Sequence, residues 1–226
     1  MKPFAISVAL TLTTAVAFGS GSGGGGGMSP ASPSMSQQDP HQAAVAYYNS
    51  GERQLEKATK ANADLKANSD PSKTDGLKSR LNKSLENAAA DFQRAIKSED
   101  KMYQAYSELG FCLRKLGRFD EALQTYDKGL AIEPRWAPGI EYRAEAYLGL
   151  NRVNDAKAAY ETLFSGDRPR ADILFDSMKQ WVAEHRASAN GVDAEQIDQF
   201  AKWVDERNTV HAQTVASASR DGIRSW

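Results

Sequence analysis

The feature that most constrains this sequence is a pattern that recurs at an interval of 34 residues. When residues 103–136 are laid over residues 137–170, small and apolar positions coincide. The coinciding pairs are Gly110 with Ala144, Leu116 with Leu150, Ala122 with Ala156, Tyr126 with Tyr160, and Gly117 with Asn151. A period of this length is typical of units made of two antiparallel helices. The repeat therefore predicts an all-α fold in which helical hairpins stack side by side.

Three residues of the repeat mark where its helices end. Gly117 and Asn151 each stand between two stretches of helix-forming residues, and both residue types accept the left-handed backbone that ends a helix. Pro134 ends the second helix of its unit because it lacks an amide hydrogen and crowds the preceding turn. Each unit is therefore predicted to be a first helix, a tight turn and a second helix.

The unit at residues 103–136 also has a defined order of large and small side chains. Gly110 and Ala122 are small where the two helices cross closely, and large apolar residues surround that crossing. In chain order these positions are Tyr106, Leu109, Gly110, Leu113, Ala122, Tyr126 and Pro134. This order resembles the tetratricopeptide repeat (TPR) family. The resemblance implies an α-solenoid of TPR-type hairpins over about residues 41–165.

The TPR resemblance also implies where a partner would bind. In this family the first helices of successive units line a concave face that commonly holds a peptide or a partner helix. Arg114 and Lys115 suit an acidic group, but the asparagine and lysine set with which some TPR proteins hold a terminal carboxylate is absent. The mixed charges favour a mixed-charge or partly apolar ligand. The candidate positions are Asn49, Glu52, Ser107, Glu108, Phe111, Arg114, Lys115, Glu141, Tyr142 and Glu145.

A third copy of the pattern precedes these two and is interrupted. Gly51 matches Gly110 and Ala88 matches Ala122, but the first pair is 37 residues apart and the second only 12. The 25 additional residues contain two stripes of leucine and alanine at helical spacing, separated by a predicted turn at residues 68–76. The sequence therefore predicts an elongated first hairpin, which serves either as an arm for a partner or as a stiff spacer.

The predicted organisation continues to the C-terminus. Residues 41–170 are assigned to three TPR-like hairpins, and residues 171–214 to C-terminal capping helices. Repeat arrays expose an apolar end unless a terminal element covers it. We expect residues 171–188 to provide that cover, residues 193–214 to pack on it, and residues 215–226 to form a tail.

The first forty residues indicate export. Lys2 precedes the uncharged apolar run FAISVALTLTTAVAF, and small residues follow, so residues 1–22 are predicted to be a cleaved signal peptide. This run of about 15 residues is shorter than the ~20 that cross a bilayer, although retention as an anchor stays open. Residues 23–40 are predicted to be a disordered linker. A periplasmic or secreted protein without a stable membrane span after cleavage is expected, and residues 142–150 are typical of exported bacterial TPR proteins.

Composition leaves little catalytic equipment. With 28 basic and 29 acidic residues, the net charge of −1 lacks the positive excess of a nucleic-acid binder. The single cysteine, Cys112, and three histidines far apart in sequence form no recognisable metal set or nucleophile–base pair. We therefore expect no enzymatic activity, no cofactor and no metal, and we expect a packed thiol at Cys112.

Two functions stay open at this point. The first is an exported scaffold that binds a protein or peptide through its concave face, in cell-envelope assembly for example. The alternative is a structural role, in which the leucine stripes of the elongated hairpin pair with another copy of the chain. The sequence determines neither the oligomeric state nor the identity of the partner.

Overall fold

A computed structural model describes residues 39–224 of the chain, with side chains as far as residue 209. That part of the chain is all-α. Its helices, in chain order, are α1 (Pro40–Ala67), α2 (Pro71–Ser98), α3 (Tyr103–Lys115), α4 (Phe119–Ile132), α5 (Ala137–Gly149), α6 (Val153–Gly166), α7 (Arg168–Ala187) and α8 (Ala194–Arg224).

Successive helices pair into hairpins, and the hairpins stack. α1 packs on α2, α3 on α4, and α5 on α6, while α2, α4 and α6 each also contact the first helix of the next unit. The first helices α3, α5 and α7 contact one another in turn. This arrangement confirms the predicted all-α solenoid. We call the side formed by α1, α3, α5 and α7 the first-helix face.

The same packing device closes the first and second hairpins. A Cβ atom added to Gly51 would lie 2.6 Å from the ring of Phe92, and one added to Gly110 would lie 2.5 Å from the ring of Tyr126. Both rings are buried, so neither has room to move aside. Each glycine is therefore required where a first helix passes over an aromatic ring of its second helix. The equivalence of the interrupted first copy with the second is confirmed.

The turns between the helices follow the expected chemistry. Gly117 has a φ of 79° and Asn151 a φ of 59°, so both occupy the left-handed region predicted for them. Cys112 is buried, as expected of a packed thiol. These local predictions hold because each depends on neighbouring residues alone.

The first hairpin is as long as its sequence suggests. α1 and α2 have 28 residues each, whereas α3 has 13 and α4 has 14. The turn between α1 and α2 is shorter than predicted, because helix α2 already begins at Pro71 and the assignment of a turn to residues 68–76 is wrong beyond residue 70. The Asp70 side chain accepts a hydrogen bond from the Ser72 amide at 3.0 Å. Asp70-Pro71 therefore starts a helix instead of prolonging a loop.

The C-terminal helices cover the end of the stack. α7 packs against α5 and α6, and α8 packs on α7. The Trp181 indole N–H donates to the Leu148 carbonyl at 3.0 Å, and the Gln196 amide donates to the Asn151 carbonyl at 3.0 Å. Gln196 therefore ties α8 to the last turn of the stack and does not complete the predicted capping box with Asp193.

The two ends of the prediction meet the structure differently. α8 continues as a helix past residue 214 to Arg224, through residues assigned to a tail. The predicted signal peptide at residues 1–22 and all but the last two residues of the predicted linker at 23–40 lie outside the described residues. Among the helices that are described, none is both long enough and apolar enough to cross a membrane.

Candidate partner-binding face

All ten predicted binding residues lie on the first helices of the stack. Helical spacing of three or four residues places each set on one side of its helix. Asn49 and Glu52 lie on α1; Ser107, Glu108, Phe111, Arg114 and Lys115 lie on α3; Glu141, Tyr142 and Glu145 lie on α5.

An aromatic pair joins α3 to α5 on this face. The ring centroids of Phe111 and Tyr142 are 5.4 Å apart, and both side chains are half-buried. The Lys115 ammonium lies 5.5 Å from the Phe111 centroid, and the Arg170 guanidinium lies 5.8 Å from the Tyr142 centroid. The pair therefore offers apolar surface beside positive charge.

Arg114 is an internal ion-pair partner and not the free cation that the sequence suggests. Its side chain is 8% exposed and forms an ion pair with Glu145 of the neighbouring first helix. Glu145 also accepts a hydrogen bond from the Ser177 hydroxyl of α7 at 2.8 Å. The expectation that Arg114 contacts an acidic ligand is therefore wrong, because its charge is used between α3 and α5. Glu145 is likewise occupied.

Two more predicted residues are buried in the packing of the face. Glu141 has no exposed surface and accepts a hydrogen bond from the Arg170 guanidinium at 2.5 Å. Ser107 is 3% exposed, and its Oγ lies only 3.1 Å from where a Cβ on Gly139 would stand. Both side chains are inaccessible to a ligand because α5 packs closely on α3, and α7 on α5. Their assignment as contact residues is wrong, and they shape the face from beneath.

Glu108 is the most perturbed carboxyl group on the face. Burial raises its pKa to about 8, the negative charge of Glu52 adds to the rise, and Arg170 opposes it. Burial and the charge of Glu56 likewise raise the pKa of Glu52 above its usual value. The two carboxyl groups come from neighbouring first helices, α1 and α3. They form an acidic centre within the face.

Sequence reasoning missed two residues that complete this arrangement. Tyr48 is buried within hydrogen-bonding reach of Glu52, and its pKa is raised by burial and then by Glu108. The repeat register was a sufficient signal, because Tyr48 lies three residues before Gly51 as Ser107 lies before Gly110. Arg170 left no such signal. It comes from α7, at the boundary of the repeats, and its partners lie 28 and 29 residues earlier.

Acidic side chains on this face do not form a metal site. Across residues 39–209, no group of three or more histidine, cysteine, aspartate or glutamate residues has the arrangement that a metal ion needs. Burial raises the pKa of the Cys112 thiol well above its usual value, which keeps this sulfur protonated. The face is therefore suited to contact through rings, charges and hydrogen bonds.

Comparison with known proteins identifies the repeat. The family model for the tetratricopeptide repeat matches residues 103–135, which comprise α3, α4 and the turn that follows them. This match agrees with the stacked hairpins and with the close crossing of Gly110 over Tyr126. The chain belongs to the TPR family.

Two similar proteins also carry TPR domains in name or organisation. An Hsp70-Hsp90 organizing protein from Triticum aestivum is 32% identical over 114 residues, which cover 49% of this chain and 20% of that protein. The chain therefore spans about a fifth of this relative's length. A solved structure of the TPR2B domain of yeast Sti1 in complex with pHsp70 is 18% identical, covers 67% of this chain and 98% of that one, and has a TM-score of 0.32.

Proposed function

We propose that this protein is a non-enzymatic scaffold that binds a segment of a partner protein across its first-helix face. TPR repeats form protein-interaction scaffolds, and the location of the binding surface is the proposal. The observation that carries it is the half-buried Phe111–Tyr142 pair, which bridges two successive first helices. Aromatic side chains with partly open rings are enriched at protein interfaces, where they contribute most of the binding energy.

The accessible residues surround this pair, and the inaccessible ones support it. Asn49 and Lys115 are exposed, and Glu52 and Glu108 are partly exposed. The ion pairs beneath hold α3, α5 and α7 in a fixed relation, so the contact surface is organised before a partner arrives. Preorganisation of this kind lowers the entropic cost of binding.

The chaperones named for the similar proteins do not extend to this chain. The two arginines nearest the aromatic pair, Arg114 and Arg170, are each held by a glutamate of the same face. Their charge is therefore already balanced. An acidic chain terminus would gain little from them, because it would have to displace Glu145 or Glu141.

Photo-cross-linking from the face tests this proposal in the native host. Benzoylphenylalanine is introduced at Lys115, which is exposed on the first-helix face, and in a matched variant at Lys128, which is exposed on α4. We expect a partner adduct from position 115 and none from position 128. Equal adducts from both positions, or adducts from position 128 alone, would show that the face is not the binding surface.

We further propose that the scaffold works outside the cytoplasm, in the periplasm or as a secreted protein. The support is the apolar run and small residues within residues 1–22, which have the order of a cleaved signal. Intact mass of the protein recovered from periplasmic and medium fractions tests this. We expect a chain that begins after residue 15, and a chain retained whole in the cytoplasm would contradict the proposal.

The alternative of self-assembly through the elongated hairpin loses its main support. Its stripes do not form a free surface, since Ala58 and Ala61 of α1 are buried and Leu77 and Leu81 of α2 are partly buried. α1 and α2 pack along each other, so these side chains are used within the hairpin. No observation among the described residues favours pairing with a second copy.

A further inference from the structure

The first-helix face contains a recess with a surplus of negative charge. Tyr48 and Glu52 of α1, Glu108 of α3 and Tyr142 of α5 lie close enough for each to alter the ionisation of another. We call these four residues the acidic recess. It lies beside the ring of Phe111, which packs against Tyr142 at 5.4 Å between centroids.

The negative charge of the recess is not balanced by the protein. Glu108 has neither an ion pair nor a hydrogen bond to its side chain among the described residues, and Glu52 has no ion pair there. The nearby guanidinium of Arg170 bonds to Glu141, and that of Arg114 pairs with Glu145. One oxygen of Glu52, Oε1, is buried and has no hydrogen-bond partner. The chain thus encloses two carboxyl groups and supplies them with no cation of their own.

Glu108 is placed where an approaching group can reach it. Its side chain is enclosed by neighbouring helices except for a part that remains open to the face. Buried charges in proteins are normally paired, and a carboxyl group that lacks a partner in the free protein is completed by one from outside. Aromatic rings beside such a group also favour a cation, through attraction to the ring face.

We propose that the acidic recess binds a lysine or arginine side chain of the partner segment. This inference rests on the proposed function, because it assigns one contact of the segment that the first-helix face binds. The aliphatic stem of such a side chain suits the rings of Tyr142 and Phe111, and its charged end suits Glu52 and Glu108. The partner is thus a protein segment with a basic residue at this contact, flanked by apolar residues.

Binding of a cation here is linked to pH. Titratable or charged groups that face Glu108 are Tyr48 and Glu52 from α1, Cys112 from α3 itself, Tyr142 from α5 and Arg170 from α7. The raised pKa of Glu108 keeps it largely protonated near pH 6. A bound cation favours the ionised form, so affinity for a basic segment increases as pH rises from about 6 to about 8.5.

Peptide pools with one fixed position test this assignment on the full chain. Fluorescein-labelled octapeptide pools carry lysine or N-acetyl-lysine at the fifth position and mixed residues elsewhere, and their affinities are measured by fluorescence anisotropy. The acetyl group keeps the stem and removes the charge. We expect the lysine pool to bind about tenfold more tightly at pH 8, a difference of ~1.4 kcal/mol.

Variants locate the preference. In Glu52→Gln/Glu108→Gln the two pools should bind within about twofold of each other, while Glu206→Gln, an exposed site on α8, should keep the tenfold difference. Circular dichroism of the double variant checks that the helices remain. The acetyl-lysine pool provides the internal control, because its affinity should not change in the double variant.

The outcomes separate this inference from the proposed function. Equal affinity of both pools for the wild-type chain, or a preference that survives in the double variant, overturns the recess assignment. If the pools bind equally and Phe111→Ala/Tyr142→Ala abolishes that binding, the face still binds peptides and only the recess assignment fails. If no pool binds, or the aromatic double variant changes nothing, both proposals are contradicted.

Discussion

The first and second hairpins of this protein share one packing device and differ twofold in length. α1 and α2 have 28 residues each, against 13 and 14 for α3 and α4, yet in both hairpins a glycine of the first helix lies over an aromatic ring of the second. The short segment around this crossing is thus enough to place a hairpin in the stack. Residues beyond it are free to lengthen the helices without disturbing the repeat.

The two hairpins also differ in how much they bury. In α3, seven of 13 residues are buried, whereas in the extended region at residues 56–84 only Ala58, Ala61 and Ser84 are. Segments with few buried contacts open at lower free energy than the core of a domain. The extension should therefore contribute little to global stability, and the following predictions test that difference.

The largest expected effect is loss of the ring at the first crossing. Phe92→Ala removes a fully buried side chain from under Gly51 and should lower the free energy of unfolding by about 3–5 kcal/mol. Leu77→Ala, in the extension, removes a partly buried side chain and should cost about 1 kcal/mol. Urea denaturation followed by circular dichroism measures both. Equal losses would mean that the extension is as important to the core as the crossing.

Glycine substitutions should separate the two regions in sign as well as in size. Gly51→Ala and Gly110→Ala force a methyl group against a buried ring and should each cost about 1–3 kcal/mol. Gly76→Ala, in the extension, meets no atom within 4 Å and lies in helix α2, so it should stabilise by about 0.5–1 kcal/mol. Thermal melts compare the three variants with the wild type. A destabilising Gly76→Ala would contradict the comparison.

Glu108 should make the stability of the stack depend on pH. Its pKa is raised from 4.5 to about 8, so the folded chain binds this proton more tightly than the unfolded chain. Stability is then fully present below about pH 4.5 and decreases as pH rises towards 8. Since each pKa unit corresponds to ~1.4 kcal/mol, Glu108→Gln should remove more than about 1 kcal/mol of this dependence.

Urea denaturation at pH 5 and pH 8.5 measures this difference. Glu86→Gln, on the exposed side of α2, is the matched control and should follow the wild type at both pH values. A wild-type chain and a Glu108→Gln variant with parallel pH dependence would show that Glu108 is ordinary in its ionisation.

The smallest expected effect concerns assembly. Replacing residues 56–84 by a four-residue turn removes a net 25 residues and restores the spacing of the second hairpin. Because the stripes of the extension pack within the hairpin, we expect light scattering to report a monomer before and after the replacement. An oligomer that becomes a monomer on replacement would support the self-assembly alternative and contradict our interpretation.

Much of the fold could be predicted because its information is local and repeated. The 34-residue period, the glycines at the crossings and the left-handed residues Gly117 and Asn151 each depend on contacts within one unit. The end of the turn at residues 68–76 was placed wrongly for an equally local reason. Asp70 caps the following helix, so a pair of residues that is common in turns instead began a helix.

The binding face could be predicted in location but not in accessibility. Repeat register placed all ten residues on first helices, yet it gave no information on which of them are covered by the next helix. Ser107, Arg114 and Glu141 are buried because α5 and α7 pack closely and supply Gly139, Glu145 and Arg170 as their partners. Such pairings join residues about 30 positions apart, and a periodic pattern alone does not specify them.

The most direct test of the account is to weaken each region separately and measure binding of the same partner. The partner recovered by cross-linking from position 115 is titrated against the wild-type chain, Phe111→Ala/Tyr142→Ala, and the chain with residues 56–84 replaced. We predict that the aromatic double variant loses at least about tenfold in affinity, or ~1.4 kcal/mol, while the shortened chain binds as the wild type does. Full affinity in the double variant together with loss in the shortened chain would contradict the assignment of binding to the first-helix face.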